Sequence, residues 1–185
     1  MQRTIYYAAA SVDGFLAKAD GDVSWLDPFN SPELGYEAFL SRVGAVVLGR
    51  KTFEQAQRFG PWPYPGRLGV VVTGRRSVAG LPDGVRTAAL GDLAAVIGAL
   101  RARSAGLVWI VGGGETAGAC LERGLIDELE LYVVPVVLGG GIPLFGRGGG
   151  SVRSLEMLAT RPFSNGVAML RYRVRVSEAR AGDPP

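Results

Sequence analysis

One stretch near the middle of the chain constrains the fold more than any other. Five apolar residues, rich in β-branched side chains, occupy positions 107–111 and run directly into Gly112, Gly113 and Gly114. A helical pattern begins at Glu115. A buried strand that leads into a glycine turn and a helix N-terminus can bind an anion, because backbone N–H groups approach it closely and the helix dipole favours negative charge. The alternative is a tight strand-to-helix turn that binds nothing.

Length and composition indicate one globular domain. The chain has 185 residues, enough to bury a substantial core, and 48% of them are hydrophobic against 20% charged. The net charge of +3 does not demand a nucleic acid partner, but it leaves room for a local basic pocket that binds an anionic ligand. We expect the domain to extend over residues 1–176, and the polar residues 177–185 to form a frayed tail.

The absence of histidine narrows the possible chemistry. Histidine-based triads, most zinc sites and histidine acid–base catalysis are excluded, so we expect no metal site, and an enzyme would leave the difficult chemistry to a cofactor. The single cysteine, Cys120, lies in a predicted helix and is expected to be a buried thiol rather than a nucleophile. No segment resembles a signal peptide or is long enough to span a bilayer, so a cytoplasmic location is expected.

Apolar runs alternate with helical patterns, which is typical of an α/β domain with a mostly parallel sheet. The predicted strands cover residues 4–10, 45–48, 68–73, 85–88, 107–111, 128–134 with an extension to 138, 155–160 and 166–176. The predicted helices cover residues 33–42, with Ser31 as N-cap and Gly44 as C-terminal glycine, a short segment after residue 49, residues 93–103, and the segment that ends near Gly124. The strand-rich last third adds antiparallel pairs, and the last strand is expected to be antiparallel or at an edge.

Two further strand ends carry residues that suit phosphate groups. They are Gly49, Arg50, Lys51 and Thr52 after the second strand, and Thr73, Gly74, Arg75 and Arg76 after the third. The basic side chains supply positive charge, and the threonine hydroxyls and backbone N–H groups can bond phosphate oxygens. Because ligands of such sheets bind beyond the carboxyl ends of strands, these ends and the triple glycine suggest a nucleotide with two separated phosphate groups. An adenine dinucleotide with a 2′-phosphate has that layout. The alternative is that these basic segments are solvated turns that bind nothing.

These motifs as a set resemble the dihydrofolate reductase superfamily, and most closely its branch with the reductase domain of the bifunctional riboflavin-pathway deaminase–reductase. Residues 49–54 resemble the G-R-x-T-[WFY]-E turn that binds cofactor phosphates, and residues 111–114 resemble the glycine turn under the pyrophosphate. Residues 9–14, with Trp25, resemble the reductase opening A-S-x-D-G…G-[DE]-x-x-W. Residues 124–135 resemble G-L-[IV]-D-E-L-x-L-x-x-x-P, and the matches keep this order along most of the chain.

The resemblance implies a dihydrofolate reductase-like, three-layer αβα fold with a mixed, mostly parallel central sheet of about eight strands. It also implies an NADPH-dependent reductase that passes a hydride to a C=N or C=O carbon of a pterin- or pyrimidine-like heterocycle. The implied cofactor-binding residues are Ala10 and Ala17 beside the nicotinamide, with Gly49, Arg50, Lys51, Thr52, Thr73, Gly74, Arg75, Val111, Gly112, Gly113, Gly114, Glu115 and Thr116. The implied substrate pocket contains Trp25, Tyr36 and Phe39.

The proton donor departs from the family pattern. Dihydrofolate reductases carry a carboxylate on the first helix, facing the pterin, where this chain has Asn30 or Gly35. The candidate catalytic residues are therefore Asp13, in the turn beside the nicotinamide, and Glu37, on the predicted helix. The alternatives are plain turn chemistry for Asp13 and a solvated helix face for Glu37. Trp25 can stack on a ligand or anchor its loop to the core.

Three functions follow from these residues. Val23 and Val111 stand where the riboflavin reductases have polar substrate contacts, which favours another heterocycle over a true 5-amino-6-(5-phosphoribosylamino)uracil reductase. A non-catalytic NADPH-binding module is the third hypothesis, because the helix carboxylate is missing.

Homodimers are common in the riboflavin-reductase branch, and the alternating strands at 129–134 and 167–176 can offer an edge for one. A small heterocyclic substrate is the expected partner, rather than a nucleic acid or a membrane.

Overall fold

The computed structural model describes residues 2–146 and 152–175 as an α/β domain built on an eight-stranded sheet. The strands are β1 (Thr4–Ser11), β2 (Phe15–Ala17), β3 (Val43–Gly49), β4 (Leu68–Val72), β5 (Val85–Ala88), β6 (Leu107–Gly112), β7 (Glu128–Val134), β8 (Ile142–Pro143), β9 (Leu155–Pro162) and β10 (Ala168–Val174). The helices are α1 (Tyr36–Leu40), α2 (Arg50–Arg58), α3 (Leu93–Arg103) and α4 (Gly114–Glu122), with short 3-10 turns at Ser24–Phe29, Pro32–Leu34 and Leu90–Asp92. The predicted tail over residues 177–185 lies outside the described residues.

The main sheet has the strand order β5-β4-β3-β6-β1-β7-β10-β9. In this order, the strands from β5 to β7 run parallel to one another, whereas β10 runs antiparallel to both β7 and β9. β2 and β8 form a separate two-stranded sheet. This arrangement confirms the predicted mixed, mostly parallel sheet of the dihydrofolate reductase-like α/β fold.

Helices cover both faces of the sheet, which makes three layers. Alternate residues of β3 point to opposite sides, so Val47 packs with α3 and α4 whereas Val46 packs with α1 and α2. Because both faces are buried, the central strands are nearly continuous apolar runs rather than alternating ones. No helix within residues 2–146 or 152–175 combines the length and the apolar composition that a membrane crossing requires.

The predicted helix at 33–42 is wrong, because Gly35 divides it. Ser31 caps a short 3-10 turn, as expected for an N-cap, and its hydroxyl oxygen accepts a hydrogen bond from the Glu33 N–H. Gly35 then adopts a left-handed conformation with φ of +75°, which ends this turn and starts the separate helix α1. A regular helix cannot pass through this conformation, so the first helix has only five residues.

Gly44 and the segment after β7 also differ from the predictions. Gly44 lies within β3 rather than at a helix end, and a Cβ there would collide with the Ser104 side chain and the Gly106 backbone. The strand does not continue to residue 138, because Pro135 has no N–H to donate and the chain turns at once. The Val136 N–H bonds the Val134 carbonyl at 2.7 Å, while the Val136 carbonyl accepts from Val12.

The proposed dimer edge lies on a different strand. β7 pairs with β1 and β10, and β10 pairs with β7 and β9, so neither predicted edge strand is free. The C-terminal free edge belongs to β9, on which Leu155 and Met157 are 41% and 49% exposed. A homodimer stays a prediction, and β9 rather than β10 is the strand that can pair with a second copy.

Cys120 is buried in α4, as predicted. Burial raises the pKa of its thiol to about 12, so the reactive thiolate is a fraction of only about one in ten thousand near pH 8. We expect no reaction of the native protein with a thiol-specific disulfide reagent and one equivalent after unfolding in urea. The colour of the thiolate released from the reagent measures the labelling. Rapid labelling of the native protein would contradict this burial.

Candidate functional site

The predicted phosphate-binding segments meet at one edge of the sheet. The parallel register places Leu48 opposite Gly112, and Gly49 opposite Val72. The carboxyl ends of β3, β4 and β6 are therefore neighbours, and the chain leaves β3 and β6 directly into α2 and α4. This is the edge at which ligands bind in open α/β sheets.

A glycine-lined cradle forms where α2 and α4 begin. Gly113 has φ of +85°, and a Cβ there would lie 3.2 Å from the Thr52 hydroxyl and 3.7 Å from Gly49 Cα. A Cβ on Gly49 would lie 2.9 Å from the Thr116 hydroxyl, and one on Gly112 would contact the Thr52 methyl group. Among the described residues, no side chain caps the N-terminus of either helix. The cradle therefore presents hydroxyls and uncapped backbone N–H groups, which suit an oxyanion.

The two basic segments meet at Glu54, one turn into α2. Its carboxylate accepts hydrogen bonds at 2.6 Å from the Arg50 guanidinium and lies 3.9 Å from that of Arg75. Arg50 and Arg75, supported by Arg58, hold the pKa of the Glu54 carboxyl below its usual range. Glu54 was not among the predicted site residues, although its spacing of four from Arg50 on one helix face was the available signal.

Other predicted cofactor residues lie around this cradle with different roles. Thr73 accepts a hydrogen bond from the Arg75 N–H at 3.0 Å, which orders the turn that carries Gly74. Lys51 and Glu115 are exposed. Gly114 contributes to packing instead, because a Cβ there would collide with the Pro143 carbonyl.

The predicted nicotinamide residues lie in β1 and β2, on either side of the loop that joins these strands. Ala10 and Ala17 are 3% and 4% exposed, and Ala17 pairs with Ile142 in the two-stranded sheet. Asp13 bridges this loop to the segment after β7, since its carboxylate accepts hydrogen bonds from the N–H groups of Leu138 at 3.1 Å and Gly139 at 2.7 Å. The Ser11 hydroxyl and these N–H groups lower the pKa of the exposed Asp13 carboxyl. The carboxylate therefore stabilises the loop, and a catalytic role for it stays a prediction.

The predicted substrate residues belong to or lie beside an aromatic cluster between α1 and the sheet. Phe39 stacks on Tyr7 with ring centroids 3.9 Å apart and is only 4% exposed, so it lies at the buried side of the cluster. Tyr36 is 37% exposed and stands 6.2 Å from the Trp109 ring. Trp25 packs on the same side of the sheet, and its buried indole N–H has no hydrogen-bond acceptor in the part of the chain that the structure describes.

The second candidate catalytic residue lies on α1, next to Tyr36 of the aromatic cluster. Glu37 is exposed in the first turn of α1. Two positions correspond to the helix carboxylate of the dihydrofolate reductases. Asn30 ends the 3-10 turn at Ser24–Phe29, and Gly35, just before α1, has no side chain. A polar group does reach this place from the sheet, because the Tyr132 hydroxyl donates a hydrogen bond of 2.9 Å to the Leu34 carbonyl. Sequence reasoning missed this tyrosine, since nothing in the chain order relates β7 to α1.

Comparison with known proteins is consistent with this architecture. Residues 3–169 match the family described as the RibD C-terminal domain. The Bacillus subtilis (strain 168) protein YwjB is 36% identical over 152 residues, which cover 78% of this chain and 83% of that protein, and its name states no activity.

Two solved structures share the fold. A Shewanella sp. PV-4 protein named for riboflavin biosynthesis superposes with a TM-score of 0.82 at 29% identity, over 95% of this chain and 100% of that one. Dihydrofolate reductase from Enterococcus faecalis, complexed with NADP(H), superposes with a TM-score of 0.67 at 19% identity, over 94% of this chain and 97% of that one. The second likeness concerns the fold alone. From the matched residues and the sheet they form, the chain belongs to the RibD C-terminal domain family.

Proposed function

We propose that this protein is an NADPH-dependent reductase that transfers a hydride to a pterin- or pyrimidine-like heterocycle. The observation that carries the proposal is the glycine cradle of Gly49 and Gly113, together with the guanidinium groups of Arg50 and Arg75, which both lie against the Glu54 carboxylate. One oxyanion fits the cradle, and a second fits the arginines. Two separated phosphate sites at the carboxyl edge of the sheet are what an adenine dinucleotide with a 2′-phosphate requires.

The described residues suit this cofactor in shape as well as charge. A Cβ at Gly113 would fill the space beside Thr52 in which the pyrophosphate would lie. Thr52 and Thr116 would donate their hydroxyls there, and Arg50 and Arg75 would bind the 2′-phosphate. When bound, NADPH supplies the hydride. The buried Ala10 and Ala17 offer small side chains, which leave room for a flat ring beside the backbone.

The aromatic cluster around Tyr36 supports a flat heterocyclic substrate. Tyr36 can stack on such a ring, and the unpaired indole N–H of Trp25 can donate a hydrogen bond to a ring carbonyl or nitrogen. Val23 and Val111 offer no polar contact, so a true 5-amino-6-(5-phosphoribosylamino)uracil reductase is the second candidate rather than the first.

Titration of the protein with NADPH and NADH in parallel, followed by fluorescence, tests this function. We expect selective binding of NADPH and its oxidation when one member of a heterocycle panel is added, including dihydrofolate and the ribosylamino-pyrimidinone phosphate. Tight binding of NADPH without oxidation across the panel would favour a non-catalytic module. If neither nucleotide binds, the proposal is wrong.

Replacing Arg75 with alanine is expected to weaken NADPH binding about 10-fold and NADH binding less than about twofold, because the lost contact is to the 2′-phosphate. The dissociation constants of both nucleotides, measured by fluorescence, check this difference. Arg103→Ala is the matched control, since it removes the same charge from an exposed position at the end of α3, before β6 begins. Equal losses for NADPH and NADH would remove Arg75 from the phosphate site.

A further inference from the structure

Glu54 lies between the two guanidinium groups that we assign to the 2′-phosphate. Both of its carboxylate oxygens accept hydrogen bonds of 2.6 Å from Arg50 Nη1, and Oε1 lies 3.9 Å from Arg75 Nη1. These contacts join α2 to the turn after β4, so one acid and two bases share a small surface. The side chains of Glu54, Arg50 and Arg75 are 38%, 22% and 65% exposed, which leaves all three open to a ligand from solvent.

Each member of this cluster keeps hydrogen-bonding capacity that the protein does not use. Arg50 donates only from Nη1, so its Nε and Nη2 groups have no acceptor within residues 2–146 and 152–175. Over the same described residues, Arg75 forms an ion pair but donates no side-chain hydrogen bond. A carboxylate has about four lone-pair positions, and Arg50 occupies only part of those on Glu54. The cluster can therefore donate to an anion and accept from a hydroxyl.

The turn that carries Arg75 is held in place by contacts other than the one with Glu54. Gln57, further along α2, donates a hydrogen bond from Nε2 to the Gly80 carbonyl at 3.0 Å. The Thr73 hydroxyl accepts a hydrogen bond from the Arg75 N–H within the turn itself. Removing the Glu54 carboxylate would therefore leave the guanidinium groups near each other, with their positive charge no longer compensated.

Glu54 acts on a ligand of this cluster through its negative charge. The hydrogen bonds from Arg50 lower the pKa of its carboxyl, and the charges of Arg75 and Arg58 act in the same direction, so the carboxylate is ionised at neutral pH. It repels a phosphate that contacts the same guanidinium groups, but it accepts a charge-assisted hydrogen bond from a hydroxyl. In dinucleotide sites an acid binds the ribose 2′-hydroxyl of NAD, whereas an arginine accommodates the 2′-phosphate of NADP. This cluster contains both kinds of group.

We propose that Glu54 is a specificity-determining residue, which lowers the preference for NADPH over NADH because its carboxylate opposes the 2′-phosphate and accepts a hydrogen bond from the 2′-hydroxyl. The inference rests on the proposed reductase function and its nucleotide site. Arg50 and Arg75 make NADPH the tighter ligand, and Glu54 limits that advantage. The protein therefore binds NADH as a second, weaker nucleotide rather than excluding it.

Glu54→Gln tests this role, because it removes the charge and keeps the length of the side chain. We expect the dissociation constant of NADPH to fall about fivefold and that of NADH to rise about twofold, so the preference for NADPH rises about 10-fold. Fluorescence titrations with both nucleotides at constant ionic strength give this ratio. A purely structural role would weaken both nucleotides alike, so an unchanged or reduced preference in Glu54→Gln overturns the proposal.

Two further variants serve as controls for the charge. Glu54→Asp retains a carboxylate on α2 and should keep the preference of the wild type. Asp83→Asn removes the same charge from an exposed position just before β5, at the opposite edge of the parallel strands, and should leave the ratio unchanged. If Asp83→Asn raises the preference as much as Glu54→Gln does, the effect is one of net charge and the assignment to Glu54 is wrong.

Inorganic phosphate separates the failure of this inference from the failure of the proposed function. If the wild type binds neither nucleotide, the reductase function is wrong, and the rise of Tm with phosphate relative to chloride at equal ionic strength decides the role of Glu54. We expect phosphate to raise Tm more in Glu54→Gln than in the wild type or Asp83→Asn, because the freed guanidinium groups bind it. Equal rises in all three proteins would show that Glu54 opposes no anion there, which overturns the inference.

Discussion

Replacing Gly113 with alanine is expected to weaken NADPH binding by at least about 100-fold, or ~2.7 kcal/mol. The new Cβ would lie 3.2 Å from the Thr52 hydroxyl and would occupy the cradle between the N-termini of α2 and α4. The phosphate would lose the space beside Gly113. It would also lose a hydrogen bond from the Thr52 hydroxyl, which could no longer turn toward it. The dissociation constant of NADPH, measured by fluorescence, checks the prediction.

Gly124→Ala is the matched control for this change. Gly124 also has positive φ, at +65°, but no atom lies within 4 Å of a Cβ there. Both variants therefore suffer the backbone strain of alanine in the left-handed region, about 1–2 kcal/mol of stability, while only Gly113→Ala fills the cradle. A Gly113→Ala protein that binds NADPH as tightly as Gly124→Ala would show that the glycine turn contacts no phosphate.

Replacing Phe53 with alanine is expected to lower the free energy of unfolding by about 3–5 kcal/mol. Phe53 is fully buried where α2 packs on the sheet, with the Trp62 ring centroid 5.8 Å from its own. The variant would lose the burial of an aromatic ring and would leave a cavity beneath the helix that carries Arg50 and Thr52. Urea denaturation measures the loss, and Tm should fall by roughly 6–20 °C.

Phe59→Ala makes the same substitution just beyond the end of α2. Phe59 is 75% exposed, so its removal should change stability by less than about 0.5 kcal/mol. A similar loss in both variants would mean that the effect comes from the α2 sequence itself rather than from the packing of its inner face. A small loss in Phe53→Ala would contradict the close packing of this helix against β3 and β4.

The fold was readable from the sequence where local patterns and sheet topology agree. Strands followed by helices, with glycine at residues 49 and 112–114, predicted the parallel sheet and the edge at which the candidate site lies. Gly35 and Gly44 were misjudged for a different reason. The left-handed turn at Gly35 and the close approach of the chain to Gly44 depend on what packs against them, and a run of apolar and charged residues at helical spacing does not contain that information.

The candidate site was readable only in part. Gly49, Thr52 and Gly113 were recognisable because each follows a strand, and strand ends of a parallel sheet converge. The contact of Tyr132 with the Leu34 carbonyl was not recognisable, because β7 and the segment before α1 are almost 100 positions apart in the chain. Glu54 was visible in its motif, but its contact with Arg75 joins two different strand ends.

The central place of β1 has a consequence for how the chain must be made. Among the strands of this domain β1 leaves the ribosome first, yet its two partners, β6 and β7, come more than 100 residues later. The apolar first strand therefore waits, unpaired, through most of synthesis, and the sheet cannot close around it until residue 134 has emerged. Pairings of such long range slow folding, because loop closure precedes the contacts that stabilise it. Expression at low temperature or with a holdase chaperone should therefore raise the yield of native protein more than any change at the surface.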